Sequence, residues 1–105
     1  MDGLGRLTVA RTLAEDLGQR LVILYVNGKR IGALREGETL TREIRPGSYA
    51  LKAHNTLFGK TTGFVVSEGE HVRFETGNVA GFGSFLVLAL GAGPLYVTLR
   101  RVESA

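Results

Sequence analysis

The sequence contains no cysteine. This absence excludes a disulfide framework and thiol chemistry, and it also excludes zinc and iron–sulfur sites with cysteine ligands. The chain has 105 residues, which is the length of one domain, and a domain of this size buries a core without such cross-links. We therefore expect residues 1–105 to fold as a single domain that depends on packing.

Runs of like charge are also absent. The chain has 13 lysines and arginines against 10 aspartates and glutamates, a formal net charge of +3. The two signs are interspersed, whereas nucleic-acid-binding domains concentrate basic residues on one face. The pattern indicates a solvated surface, and we do not expect nucleic acid as the main partner.

Two further absences concern membranes. The N-terminal segment has no basic start with an apolar core after it, and Arg11, Glu15 and Asp16 place charges in the next residues of the chain. We therefore expect no secretory signal and a cytoplasmic location. Residues 76–99 carry no charge, and as a helix they would be long enough to span about 30 Å of hydrocarbon. Recurring glycines and Pro94 argue against such a helix and favour strands. Membrane attachment through residues 76–99 is therefore only the third of three functional hypotheses, and the first two are given below.

The clearest structural signal is a hairpin. Residues 21–26, Leu-Val-Ile-Leu-Tyr-Val, are followed at once by Asn27-Gly28. A two-residue type I′ turn needs positive φ at both central positions, which asparagine and glycine tolerate, so the sequence predicts a hairpin that returns along residues 29–34. Both alternating sets of residues 21–26 are apolar, which predicts a central strand covered on both faces.

The rest of the chain continues this pattern of short strands separated by turn signals. Residues 10–17 also fit a short helix, but we favour a strand followed by an irregular linker, because an isolated helix this short gains little stability. The pattern is typical of a sandwich or a barrel, and we predict an all-β fold, a two-sheet antiparallel β-sandwich with about seven to nine short strands. The predicted strands cover residues 6–12, 21–26, 29–34, 39–45, 48–54, 63–67, 71–76, 85–90 and 95–102.

Two residues stand out within these strands. Arg42 alternates in step with Leu40 and Ile44, and a buried, unpaired guanidinium would be very costly. A bulge, a position at the rim of the sheet, or a deliberate ion pair would resolve this conflict, and we favour the first two. Tyr49 comes after the Pro46-Gly47 turn, and we expect its ring in the core with its hydroxyl on loop backbone.

The segment from residue 21 to residue 53 resembles the small prealbumin-like or PEGA-like sandwiches of bacterial proteins. The similarity is carried by Val26-Asn27-Gly28, by Gly37-Glu38, and by Pro46-Gly47-Ser48-Tyr49-Ala50-Leu51. It implies a two-sheet sandwich that serves in binding or assembly without catalysis, and it identifies no functional residue. The glycine-rich, uncharged region 77–93 departs from the pattern of these domains.

No motif predicts a reaction. Gly59-Lys60-Thr61 lacks the earlier glycine of a phosphate-binding loop, since that position is His54, and the next residues predict a strand. His54 and His71 are expected at strand ends on the surface, without the spacing of metal ligands. We therefore expect no enzyme activity, no catalytic residue, no cofactor and no metal.

The segment 79–94 is the strongest functional signal in the sequence. An uncharged loop beside an apolar strand leaves a patch that water disfavours, and such patches mark interfaces. The alternative is that residues 85–90 form a covered core strand with Phe82 folded onto it. Our first hypothesis is contact with a protein partner or with a second copy of the chain, and the second is a sandwich that binds polysaccharide or nucleic acid on outward basic residues. The predicted interface residues are Val79, Phe82, Phe85, Leu86, Leu88 and Leu95.

Overall fold

The computed structural model describes residues 3–13, 16, 18, 20–56, 58–80 and 95–102. Within these ranges the chain forms eight strands and no helix, arranged as two four-stranded sheets. The predicted all-β sandwich is confirmed. The strands are β1 (Gly5–Ala10), β2 (Val22–Val26), β3 (Lys29–Leu34), β4 (Thr39–Ile44), β5 (Gly47–His54), β6 (Gly59–Val66), β7 (His71–Ala80) and β8 (Leu95–Val102).

Sheet A has the strand order β4-β1-β7-β8, and sheet B has the order β3-β2-β5-β6. Neighbouring strands are antiparallel except for β1 and β7, which run parallel, so sheet A is mixed rather than wholly antiparallel. All of sheet B lies between β1 and β7 in the sequence. No hairpin links β1 to β7, and the packing of the whole domain therefore sets the relative direction of these two strands.

The core lies between the two sheets. Tyr49 stacks on Phe64 with ring centroids 5.6 Å apart, and Phe64 meets Phe74 edge to face at 5.5 Å. The Tyr49 hydroxyl donates to the Arg45 carbonyl at 2.6 Å, as predicted for a tyrosine beside a turn. The buried apolar residues are Leu7, Val9, Val22, Leu24, Leu34, Leu51, Ala53, Phe64, Val66, Val72, Phe74, Val97 and Leu99.

The predicted hairpin is present. Asn27 has a φ of 49° and Gly28 a φ of 81°, so both turn positions lie in the left-handed region that a type I′ turn requires. A bulge interrupts the pairing of β2 with β3 between Leu24 and Tyr25. The strand β2 is central in sheet B, as predicted.

Three boundary or burial predictions are corrected. Residues 23 and 25 of β2 are only half-buried, so this strand is covered on one face and not on both. The strand β6 begins at Gly59 rather than at residue 63, because the chain turns back tightly: the Asn55 amide donates to the Phe58 carbonyl at 2.9 Å. The strand β7 continues to Ala80 rather than ending at residue 76, because its last residues pair with β8.

Two other predictions concern parts of the chain that the structure describes only partly. The short helix over residues 10–17, the alternative that we did not favour, does not form in the described residues: β1 ends at Ala10 rather than at residue 12, and residues 11–13 and 16 are not helical. Residues 14, 15 and 17 lie outside the described residues. The predicted strand 85–90 also lies outside them. Within the described ranges no helix is long and apolar enough to cross a membrane, and the described ends of the segment 76–99 belong to β7 and β8.

Arg42 lies on the edge strand β4, and its guanidinium is exposed. Nη2 donates to the Ile31 carbonyl on β3 at 2.9 Å, so the side chain bridges the edges of the two sheets. The rim position therefore explains Arg42, because the bulge found in the structure lies in the pairing of β2 with β3 instead.

Candidate functional site

The predicted interface falls mostly outside the described residues. Phe82, Phe85, Leu86 and Leu88 lie in the part of the chain that the structure does not describe. Val79 is in β7 and Leu95 is in β8, and these two strands pair up to Ala80 and Leu95.

The histidines do not form a common site. His54 ends β5 in sheet B, where its Nδ1 accepts the Thr56 amide at 3.1 Å, whereas His71 begins β7 in sheet A. Within the described residues, no group of three or more histidine and carboxylate side chains is arranged to hold a metal ion. Gly59, Lys60 and Thr61 lie in β6, so they form part of a strand and not a phosphate-binding loop.

His71 instead belongs to a hydrogen-bonded chain on the outer face of sheet A. Thr8 Oγ1 lies 2.7 Å from His71 Nε2 and 3.0 Å from Thr41 Oγ1. Arg73 Nη2 lies 3.1 Å from His71 Nδ1, and because arginine only donates, Nδ1 accepts and the neutral ring carries its proton on Nε2. Desolvation and the charges of Arg73 and Arg6 lower the pKa of His71, which favours this neutral form.

A buried polar network lies between the sheets near the end of β1. Arg11 Nε donates to Asp16 Oδ2 at 2.8 Å, and both side chains are almost fully buried. Arg11 Nη1 also donates to the carbonyls of Arg20 and Leu34, at 2.7 and 2.8 Å. These contacts tie the linker after β1 to the end of β3.

The same network continues into β7. Asn78 is fully buried. Its side-chain oxygen accepts a hydrogen bond from Asn55 Nδ2 at 3.0 Å, and its backbone N–H donates to Asp16 Oδ1 at 3.4 Å. Desolvation alone would raise the pKa of Asp16. The hydrogen bond from Arg11, the amide of Gly18 and the charge of Arg11 outweigh it, so the pKa of Asp16 is lower than its ordinary value. Among the described residues, no buried side-chain nitrogen or oxygen lacks a hydrogen-bond partner, which indicates that this network is structural.

The outer face of sheet B carries a different kind of feature, a trough with a volume of about 400 Å³. We call it the Tyr25 trough, and it is lined by Tyr25, Gly28, Ala50, Lys52, His54 and Thr61. Smaller cavities of about 220 and 190 Å³ lie beside Ile31 on the edge strand β3 and beside Arg6 on β1. The Tyr25 trough is larger than both, and it combines an aromatic ring, an ammonium group, an imidazole and a hydroxyl.

Local sequence explains how the trough is built. The Asn27 side chain accepts the Ala50 amide at 2.8 Å, and the Asn27 amide donates to the Ala50 carbonyl at 2.9 Å, so the hairpin tip is held against β5. A Cβ at Gly59 would lie 2.7 Å from the His54 ring and 3.2 Å from Lys52 Cε. Glycine at this position therefore lets both side chains lie over β6.

The strand register places four side chains in a row across the outer face of sheet B. Tyr25 on β2 is opposite both Arg30 on β3 and Lys52 on β5, and Lys52 is opposite Thr61 on β6. We call this the Arg30–Thr61 row. At about 4.8 Å between neighbouring strands, the row is about 14 Å long.

The two sheets differ in the charged residues of their strands. The strands of sheet B, all of which are described, contain Lys29, Arg30, Lys52 and Lys60 but no aspartate or glutamate. The strands of sheet A contain arginines together with Glu43 and Glu75. The Tyr25 trough therefore lies on a sheet whose only full charges are positive.

Sequence reasoning missed both of these sites, although each left a signal. Arg11 alternates in step with Leu7 and Val9, the same pattern that drew attention to Arg42. Asn78 was a second signal, since asparagine is disfavoured in strands. The trough was hidden by the expectation that Tyr25 lies on a covered face.

No protein-family model, no curated protein and no solved structure matches this chain. The resemblance to prealbumin-like and PEGA-like sandwiches therefore stays a prediction, and the geometry of the described residues is the basis for the functional argument.

Proposed function

We propose that this protein is a non-catalytic binding module whose ligand lies in the Tyr25 trough. The observation that carries this proposal is the combination of a half-buried aromatic ring with Lys52, His54 and Thr61 in one trough of about 400 Å³. Apolar surface supplies affinity in such sites, and a few placed polar groups supply orientation.

The setting of the trough supports binding. Its side chains project from three neighbouring strands, β2, β5 and β6, and a sheet holds their relative positions more rigidly than a loop would. No carboxylate lines the trough, so it lacks the paired acids that many hydrolytic reactions use.

Amide chemical shifts measured by NMR test the proposal. The uniformly labelled protein is titrated with a neutral oligosaccharide, an acidic oligosaccharide, oligodeoxythymidine and an acidic peptide. We expect at least one of these probes to shift the amides of Tyr25, Lys52 and Thr61 in a saturable manner. Shifts confined to sheet A, or no saturable shift with any of the four probes, would contradict the proposal.

Self-association is the second candidate function, and one structural observation favours it. The strand β1 pairs with β7 only as far as Glu75, yet β7 and β8 continue as a pair to Ala80 and Leu95. This extension of the β7–β8 pair leads in sequence to the uncharged segment that we predict to be an interface.

Light scattering after size-exclusion chromatography tests self-association. We expect an oligomer for the unmodified chain and a smaller species for Phe82→Asp, with Val65→Asp as a control because Val65 is exposed on β6 in the other sheet. A monomer at high protein concentration, unchanged by Phe82→Asp, contradicts this second proposal.

A further inference from the structure

We infer that the ligand of the Tyr25 trough is an acidic polysaccharide that crosses the strands of sheet B along the Arg30–Thr61 row. This inference rests on the proposed binding function and specifies the chemical class of the ligand. It depends on three properties of the row: its charge, its single aromatic ring and its open ends.

Charge indicates an anionic ligand. Arg30 and Lys52 are the register partners of Tyr25 on its two neighbouring strands, so a basic residue flanks Tyr25 on each side. Both cations are exposed, and no acidic residue occurs in the four strands of this sheet to neutralise them. Carboxylate or sulfate groups placed on either side of the ring would accept charge-assisted hydrogen bonds from both.

The single ring indicates a sugar rather than a nucleic acid. Among the described strands of sheet B, Tyr25 is the one aromatic side chain on the outer face, because Tyr49 and Phe64 pack inward. Proteins that hold single-stranded nucleic acid stack successive bases on several aromatic rings. One half-buried tyrosine suits the C–H face of one pyranose ring, while the hydroxyl of Thr61 and the imidazole of His54 are positioned to hydrogen bond sugar hydroxyls.

The open ends of the row indicate a polymer. Arg30 lies on the edge strand β3 and Thr61 on the edge strand β6, so no element of the described structure closes either end. A row of about 14 Å with both ends at sheet edges accommodates an internal segment of an extended chain. A small molecule would leave part of the row unused.

Two matched probes test the role of charge. One is a linear galacturonic acid hexamer, with a carboxylate on each ring, and the other is the same hexamer fully methyl-esterified, which keeps the sugar rings and removes the charge. Titration calorimetry and NMR are carried out with the full chain at two salt concentrations. We expect the acidic hexamer to bind at the trough at least about tenfold more tightly, with an affinity that falls as salt rises.

Substitutions then locate the interaction. We expect Lys52→Ala and Arg30→Ala each to weaken binding of the acidic hexamer by about tenfold, and Tyr25→Ala to weaken it at least as much, whereas Tyr25→Phe keeps most of the affinity. Arg6→Ala is the matched control, since it removes one exposed positive charge from the outer face of sheet A and leaves the row intact. Circular dichroism confirms that each variant is folded. If Tyr25→Ala does not fold, Tyr25→Phe remains as the test at this position.

The outcomes separate this inference from the proposed function. Equal binding of the acidic and esterified hexamers overturns the acidic ligand and leaves a binding module for neutral sugars. Binding of oligodeoxythymidine at the trough, with neither hexamer bound, overturns the polysaccharide and leaves a binding module of another specificity. If neither hexamer, oligodeoxythymidine nor an acidic peptide shifts the trough amides, the inference and the proposed function both fail.

Discussion

Arginines occur at inward-facing positions in two regions of this sandwich, and the two regions treat them differently. Arg11 is 1% exposed, and its guanidinium is held by Asp16 and by two backbone carbonyls. Arg42 and Arg101 alternate in step with core residues on β4 and β8, yet both are exposed. The difference is that β4 and β8 are the edge strands of sheet A, where a long side chain reaches water, whereas Arg11 lies where strands and linkers cover it.

This comparison shows that alternation along a strand predicts direction but not environment. At the edges, an inward-pointing charge costs little and discourages pairing with another sheet. In the interior, the same side chain is tolerated only because every donor has an acceptor, and removing one partner leaves a buried charge. Substitutions and pH test this contrast, from the largest expected effect to the smallest.

Arg11→Met is expected to lower the free energy of unfolding by about 3 to 5 kcal/mol, because it leaves the Asp16 carboxylate buried without its main counter-charge. Urea denaturation followed by circular dichroism measures this loss. The double variant Arg11→Met with Asp16→Leu removes both charges, and we expect it to be more stable than Arg11→Met alone. If the double variant is the less stable of the two, the buried charge is not the source of the effect.

Asn78→Ala is expected to cost about 1 to 3 kcal/mol, because it removes the acceptor of Asn55 Nδ2 inside the buried network. The loss is smaller than for Arg11→Met, since no full charge is left buried. The same denaturation assay applies, with Thr39→Ala as the control at an exposed position of β4. A cost equal to that of the control would show that the network does not depend on Asn78.

Acid is expected to weaken the network through Asp16. The pKa of this carboxyl is lower in the folded protein than its ordinary value of about 4, so its stabilising contribution is complete above that value. The contribution is lost as the pH falls through the lower, folded pKa. Urea midpoints measured from pH 5 downward should fall more steeply for the unmodified chain than for Asp16→Asn, and parallel slopes would exclude this role for Asp16.

Arg42→Leu and Arg101→Leu are expected to change the free energy of unfolding by no more than about 0.5 kcal/mol, because both side chains are exposed at sheet edges. Their effect should appear in association instead, since removing an inward-pointing charge leaves an edge strand open to pairing with another chain. Sedimentation velocity at increasing concentration tests this. Arg6→Leu adds the same apolar group on the central strand β1, and if it promotes association equally, the edge is not responsible.

Much of the fold was predictable from local chemistry. The Asn27-Gly28 turn, the inward series Tyr49, Leu51 and Ala53, and the Tyr49 hydroxyl on the Arg45 carbonyl all result from turn preferences and two-residue alternation. These features depend on residues close together in the sequence, so a pattern of a few positions contains the information.

The candidate site was less predictable, because it depends on register between strands that are distant in sequence. Alternation with Leu51 and Ala53 turns Lys52 outward, but only the pairing of β2 with β5 and of β5 with β6 places Lys52 and Thr61 in line with Tyr25. No sequence pattern indicated that Asp16 is buried. Its hydrogen bonds to Arg11 and to the Asn78 backbone amide form only when the linker after β1 packs against β7.

The sequence by itself determined the all-β fold, its main turns and the inward series of β5, because these depend on backbone preferences and the burial of apolar side chains. Only the tertiary structure decided that β1 and β7 are parallel, that Arg11 is buried while Arg42 is not, and that one sheet carries cations without carboxylates. The physical reason is that burial and charge environment depend on which strands become neighbours, and that choice is made by the packing of the whole domain.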